Sequence, residues 1–300
     1  MALYRYQQSF AADPTLSPRV FALLDLVFPG VLARARYAAG IGTAWERAST
    51  PFVLCDGDAV LSHVGVLELP MVLGGRRATV GVVHAVATHP QHRRRGYYRQ
   101  VMTEALHYCD ARYETVELCT ARPELYAPFG FRVVPEHRFL ASISPQPSAT
   151  TVRRLSEDRP ADVALLRRLL ATRAAVSQVL GVVEDAAVFP VQESLGDLLY
   201  AADLDAIIAC EISGATLQLR DVVATQIPPL CAIVDCLPQP IERAEIYVTP
   251  DCLEVETPAE PHVLHDGDDD IGGAGASILM VRGPFAPEGR PFMLPRSARC

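Results

Sequence analysis

A chain of three hundred residues, half of them hydrophobic, exceeds what one ordinary core needs and points to a globular protein of two domains. Its formal net charge of −8 argues against general nucleic-acid binding, which wants a broad basic face, and no apolar run approaches a membrane span. The start, MALYRYQQSF, lacks the basic head and apolar stretch of a secretion signal, so a cytoplasmic location is expected.

The first apolar segment, Ser17–Gly40, is broken by Pro29-Gly30 and predicts two short helices. Strand-like runs follow at Pro51–Cys55, Ala59–Leu67 and Ala78–Thr88. Asp56-Gly57-Asp58 and Gly74-Gly75 between them suit hairpin turns. A helix is expected after Gly96, because Val101, Met102, Ala105, Leu106 and Cys109 make one apolar stripe. Thr115–Thr120 reads as a strand, Glu124–Pro128 as a short helix, and Phe131–Ile143 as a strand pair. Ser144–Thr151, with two prolines among small polar residues, reads as a linker.

Val152–Arg173 has a strand-to-helix pattern. Strands are expected at Ala206–Ile212, Thr216–Ala224, Glu245–Thr249 and Ser277–Val281, with a helix over Ile227–Cys236. The second half thus echoes the first in element order. The expected class is α/β with mixed sheets, divided into residues 1–146 and 152–300.

No metal site is expected. The eight cysteines form no C-x-x-C pair, and no two histidines flank a glutamate at helical spacing. Asp266–Asp270 with Gly272-Gly273 lacks the spaced ligands and terminal glutamate of a calcium loop. All fixed side-chain positive charges are arginines, since the chain has no lysine.

The densest of those charges lies in HPQHRRRGYYRQ, His89–Gln100. A strand ending at Thr88 delivers the chain to a turn, and a helix starts near Gly96. Helix starts carry unpaired N–H groups and a partial positive charge, so they attract phosphates. Gly96 lets backbone approach an anion, and the flanking guanidiniums add charge-assisted bonds.

These residues resemble motif A of the GNAT superfamily of N-acetyltransferases, in which a strand leads into Q/R-x-x-G-x-G/A and then a helix. Arg93-Arg94-Arg95-Gly96-Tyr97-Tyr98 follows that pattern, with Tyr98 where glycine or alanine is usual. Tyr126-Ala127-Pro128-Phe129-Gly130-Phe131 resembles the family's Tyr-x-x-x-Gly-Phe segment, in the right order and at a fitting distance.

The resemblance implies a GNAT acyltransferase fold and acetyl-CoA as co-substrate, with no metal. It implies that the backbone of Val86, Ala87 and Thr88 holds the pantetheine arm. Arg93, Arg94, Arg95, Gly96, Tyr97, Tyr98 and Arg99 would surround the pyrophosphate. Tyr126 would be the general acid toward the departing thiolate. For the base, His84 is the first candidate, with Glu68 and Glu117 on neighbouring strands as others.

The chain is also similar to bacterial acetyltransferases of the enhanced-intracellular-survival type, which join a catalytic GNAT half to a degenerate one. It leaves little room for their additional sterol-carrier-like domain. After Asp221–Ala224 the second half has Thr225-Gln226-Ile227-Pro228 and no arginine–glycine motif, so it is expected not to bind CoA. In that group a C-terminal carboxylate enters the site; for Cys300 a packed tail is favoured over that role.

The reading is an acetyl-CoA-dependent N-acetyltransferase acting by direct attack of a primary amine. The alternative is a non-catalytic acyl-CoA-binding or regulatory protein. The partner is a small-molecule or peptide amine, left open among aminoglycosides, polyamines, amino acids and protein lysines. Neither nucleic acid nor membrane is expected as a partner, and homo-oligomer formation is left open.

Overall fold

A computed structural model describes residues 5–43, 45–144, 151–184, 188–265 and 275–299. The Ser17–Gly40 segment forms α1 (Leu16–Val27) and α2 (Val31–Gly40). α1 buries Leu16, Val20, Phe21, Leu23 and Leu24, a helical spacing that puts one apolar stripe against the sheet. A single turn, α3 (Trp45–Ala48), leads into β1 (Ser49–Asp56), β2 (Ala59–Leu73) and β3 (Arg76–Thr88), an antiparallel meander.

The expected helix is α4 (Tyr97–Asp110), and the five residues of its apolar stripe are those it buries. The chain returns as β4 (Val116–Thr120), parallel to β3. Two 3₁₀ turns, Pro123–Leu125 and Ala127–Phe129, stand where one short helix was expected. β5 (Arg132–Val133) and β6 (Glu136–Ser142) follow.

The second half contains β7 (Val152–Arg154), α5 (Pro160–Thr172), β8 (Leu180–Val182) and α6 (Phe189–Gln192). Next come β9 (Leu198–Ala201), β10 (Ala206–Ser213), β11 (Thr216–Ala224), α7 (Leu230–Asp235) and β12 (Arg243–Ile246). β13 (Ala259–His262), β14 (Leu264–His265) and β15 (Ala276–Arg282) complete the order. Residues 145–150 of the expected linker, the acidic stretch Asp266–Asp270 with its glycine pair, and Cys300 lie outside the described residues.

The strands make two sheets. The first runs β1-β2-β3-β4-β15-β14, with β5 on β15 and β8 on β2; the second runs β13-β6-β12-β11-β10-β9-β7. The sheets do not divide at residues 146–152. β6 leaves the first half to sit between β12 and β13, and β15 leaves the second to pair with β4.

The exchange is reciprocal: β15 stands to β4 as β6 stands to β12. β5 and β6 are consequently not the pair expected over Phe131–Ile143. Only Val134 and Pro135 separate them; β5 pairs with β15 and β6 with β12 and β13, and Val134 N–H donates to the Leu279 carbonyl at 3.1 Å. The chain crosses straight from one sheet into the other.

The core follows the layers. Between α4 and the first sheet lie Val64, Val83, Met102, Ala105 and Leu118. The opposite face buries Val80, Val82, Leu279 and Val281 with Phe292 and Leu294 of the C-terminal tail. A separate cluster lies between α1 and the β1–β2 end, including Val20, Leu24, Val53 and Ala87.

Candidate active site

The parallel pairing of β3 with β4 covers only Gly81–Val116 and Val82–Glu117. Beyond these, β3 continues to Thr88 and β4 to Thr120 without pairing each other. The two strands therefore open a gap whose walls are backbone edges. β3 has its partner β2 on the far side, so a ladder edge faces the gap.

A bulge shapes that wall. Gly65 pairs with His84 and His63 with Ala87, leaving an extra residue on β3, and Ala85 takes a left-handed φ of +48°. The alternation shifts phase as a result. Val86 packs on the α4 side, while His84 stacks edge-on against Trp45 at 4.7 Å. His84 and Val86 therefore do not share a face, contrary to the regular strand the sequence suggested. Thr88 Oγ1 lies 2.9 Å from Ser62 Oγ, and the Ala87 carbonyl accepts from Ser62 Oγ at 3.1 Å.

At the mouth of the gap the chain turns through Pro90–His92 into α4. Arg94 and Gly96 both have positive φ, +64° and +80°. A Cβ on Gly96 would meet nothing within 4 Å, so the glycine is required by backbone conformation and its face is open. The N–H groups of Tyr97, Tyr98 and Arg99 begin the helix without intrahelical acceptors, and Gly96 offers no side-chain cap.

Around this start Arg93, Arg94, Arg95 and Arg99 are exposed. Arg93 Nε donates to the Thr88 carbonyl at 3.4 Å, and none of the four makes an ion pair with a described residue. Unpaired guanidiniums beside free helix N–H groups form a cradle for a polyanion. Tyr97 stacks on His92.

Tyr98 occupies the position where the resemblance implies glycine or alanine. It leans away from the loop and donates its hydroxyl to the Leu125 carbonyl at 2.9 Å. Its ring meets Tyr126 and Phe129 edge-on at 6.2 and 5.6 Å. The bulky side chain thus ties the helix start to the Tyr126 turn and leaves the N–H cradle clear.

Tyr126 is 8 % exposed and packs edge-on against Phe131 at 6.3 Å. Burial pushes its phenol up to about 12, with the Thr120 hydroxyl and Arg122 acting in the opposite direction. A phenol with that affinity keeps its proton at neutral pH. Its neighbour Thr120 ends β4, the second wall of the gap.

His84 is a poor proton acceptor. It is 2 % exposed, its Nε2 lies 3.0 Å from Ser49 Oγ, and burial drives its pKa down to about 3, helped by His63. Gly65 is forced by this ring, because a Cβ there would come within 2.3 Å of His84 Cε1. Glu68 accepts a 2.9 Å bond from the Tyr113 hydroxyl.

Glu117 is different. It stands at the apex of the gap, 1 % exposed, with neither carboxylate oxygen hydrogen-bonded among the described residues. Burial raises its pKa to about 8, opposed by Arg299 and reinforced by Glu136.

Arg299 belongs to the C-terminal tail, which is threaded beneath the first sheet. Its guanidinium meets Glu136 at 2.5 Å and the Ser277 carbonyl at 2.9 Å. Leu294 N–H also donates to Glu136 at 2.9 Å. Reading the sequence missed this arrangement, because nothing near residue 117 announces an arginine at the far end of the chain. Cys300 follows outside the described residues.

The second sheet repeats the geometry and fills it. β11 and β12 pair from Thr216–Arg243 to Leu219–Ile246, and Arg220 is the extra residue of a bulge. Against the separated part of β11, Ala174 N–H donates to the Ala224 carbonyl at 2.8 Å. Asp221 is fully buried, with Arg173 at 2.7 Å and Ser297 Oγ at 2.5 Å. α7 begins only after Pro228-Pro229, with no arginine beside its start.

Residues 12–134 match the family model described as an acetyltransferase (GNAT) domain. A probable N-acyltransferase from Enterococcus faecalis is 11% identical with a TM-score of 0.56, over 94% of this chain and 72% of that one. Eis1 from Mycobacterium abscessus is 15% identical with a TM-score of 0.54, over 94% and 73%. A GCN5-related N-acetyltransferase from Anabaena variabilis is 15% identical with a TM-score of 0.51, over 94% and 72%.

At these identities the likeness to the solved structures is one of fold, and it spans both halves. No curated protein matches the chain. Among the described residues no helix is long and apolar enough to cross a membrane, and no three His, Cys, Asp or Glu side chains cluster as metal ligands would.

Proposed function

We propose that this chain, whose residues 12–134 form a GNAT acyltransferase domain, moves an acetyl group from acetyl-CoA to a primary amine of a small molecule or peptide. The observation that carries the reading is the gap between β3 and β4, opening onto an arginine-rich helix start with Tyr126 beside it. The open edge at Val86, Ala87 and Thr88 suits a pantetheine amide, which hydrogen-bonds as an added strand would. The N–H groups of Tyr97 to Arg99 and the guanidiniums of Arg93, Arg94, Arg95 and Arg99 suit the pyrophosphate.

Bound there, acetyl-CoA supplies the acyl group as a reactive thioester. Tyr126 holds a proton at its hydroxyl and gives it to the leaving sulfur. Glu117, rather than His84, takes the proton from the attacking amine: its pKa near 8 makes it far the stronger acceptor. One proton enters the protein at Glu117 and one leaves at Tyr126, so the cycle closes when the two exchange through solvent. In the second half the equivalent place is taken by the Arg173–Ala174 segment and Ser297, which supports a structural role there.

The test is Tyr126→Phe. Loss of a positioned acid should lower kcat by roughly 10²- to 10⁴-fold, with CoA affinity by calorimetry nearly unchanged. An unchanged kcat would remove Tyr126 from the mechanism.

A further inference from the structure

On β3, the wall of the gap is irregular over the residues that face the opening. Ala85 and Val86 have no partners on β2: the ladder stops where His84 meets Gly65 and resumes where Ala87 meets His63. A carbonyl that leaves a ladder needs another donor, since a buried acceptor left unpaired is destabilising. Two side chains of β2 supply donors. His63 Nδ1 lies 2.8 Å from the Ala85 carbonyl oxygen, and Ser62 Oγ donates to the Ala87 carbonyl at 3.1 Å. Both residues are fully buried.

These bonds fix where the protons are. A carbonyl only accepts, so the His63 proton sits on Nδ1, and the bare Nε2 is buried with no hydrogen-bond partner among the described residues. Burial drives the ring's pKa down to about 4, opposed by the bond to Ala85, so the ring is neutral at neutral pH. The single Ser62 proton goes to Ala87, and Ser62 therefore accepts from the Thr88 hydroxyl at 2.9 Å.

In a trans peptide the C=O and the following N–H point in opposite directions, and no peptide bond among the described residues is cis. With the Ala85 and Ala87 carbonyls turned toward β2 side chains, the N–H groups of Val86 and Thr88 are turned away from β2, toward the gap. The next peptide continues the alternation. His89 N–H donates to the Leu61 carbonyl of β2 at 2.9 Å, and the Thr88 carbonyl accepts from Arg93 Nε.

We propose that His63 and Ser62 are positioning residues for acyl transfer, holding the β3 bulge so that the Val86 and Thr88 N–H groups meet carbonyl oxygens of the pantetheine and thioester arm. The inference rests on the acetyl-CoA reading above, which assigns neither residue a part.

The test separates the arm from the phosphates. CoA and 3′,5′-ADP, which has nucleotide phosphates but no pantetheine, are titrated calorimetrically against the full chain and its variants. His63→Leu and Ser62→Ala should each weaken CoA about tenfold, the worth of one hydrogen bond, and leave 3′,5′-ADP unchanged. His63→Asn, whose amide nitrogen stands where Nδ1 does, should restore CoA affinity to near that of the parent chain. Circular dichroism checks the fold of each variant.

CoA affinity unchanged in both His63→Leu and Ser62→Ala would overturn the inference and leave the acetyl-CoA reading standing. Equal weakening of CoA and 3′,5′-ADP would overturn it too, since that is a general loosening and not a misaligned wall. A parent chain that binds no CoA at millimolar concentration would overturn the acetyl-CoA reading, and this inference with it.

Discussion

Glu117 and the buried histidines give the protein a distinctive dependence on pH. The folded pKa of Glu117, about 8, stands above its ordinary 4.5. Between those values the unfolded chain releases a proton that the folded chain keeps, so stability falls as pH rises across that window. His84 and His63 act oppositely, with folded values near 3 and 4 against an ordinary 6.5. Their contribution is lost as pH drops below 6.5. Together these groups set a stability maximum near pH 6.5. Thermal unfolding at a series of pH values should show it. Glu117→Gln should abolish the decline above the maximum, retain the rise below it, and remove the rate increase that accompanies ionisation near pH 8. A decline that persisted in the variant would belong to another group. The arginine-rich helix start and the tyrosine turn could be read from the sequence as local structure, since each is a short stretch of chain. The environments of the candidate bases could not, because the burial of Glu117 depends on β15 and the tail, and that of His84 on Trp45 and Ser49.

Among the elements, α4 shows where periodicity suffices. Its stripe of Val101, Met102, Ala105, Leu106 and Cys109 was readable from spacing, since the 3.6-residue period alone decides which side is buried. The β3 bulge shows where it fails: one left-handed residue, Ala85, reverses the faces after it, and alanine gives no warning of such a φ. Tyr98 joins α4 to the Tyr126 turn through one hydrogen bond and two aromatic contacts. Tyr98→Ala should therefore destabilise the fold by about 1–3 kcal/mol. It should lower kcat more than it weakens CoA, because the N–H cradle is intact while Tyr126 loses its support. A change confined to CoA affinity would instead make Tyr98 a cofactor contact.

At the scale of the molecule, the two halves are interlocked. β6 and β15 each complete the other half's sheet, and Arg299 joins Glu136 at the point where the chain crosses between them. The repeated element order was visible in the sequence; the exchange was not, because the apolar pattern of a strand says nothing about which sheet receives it. A protease site placed between Ser144 and Thr151 should, once cut, yield fragments that co-elute in gel filtration and unfold in one transition. Residues 1–146 expressed alone should aggregate, since β4 then presents a bare edge. Two soluble, independently folded halves would refute the interlock.

That exchange also sets a timetable for biosynthesis. β4 emerges from the ribosome long before its partner β15, with the whole of Ala121–Gly275 translated in between. At roughly 5–20 residues per second the nascent chain waits on the order of ten seconds with the edge of β4 unpaired. Premature termination anywhere in that interval leaves the first sheet unfinished. Only a chain read through Arg282 can close it, so the sheet that carries the gap is completed by the last to be made of the described strands.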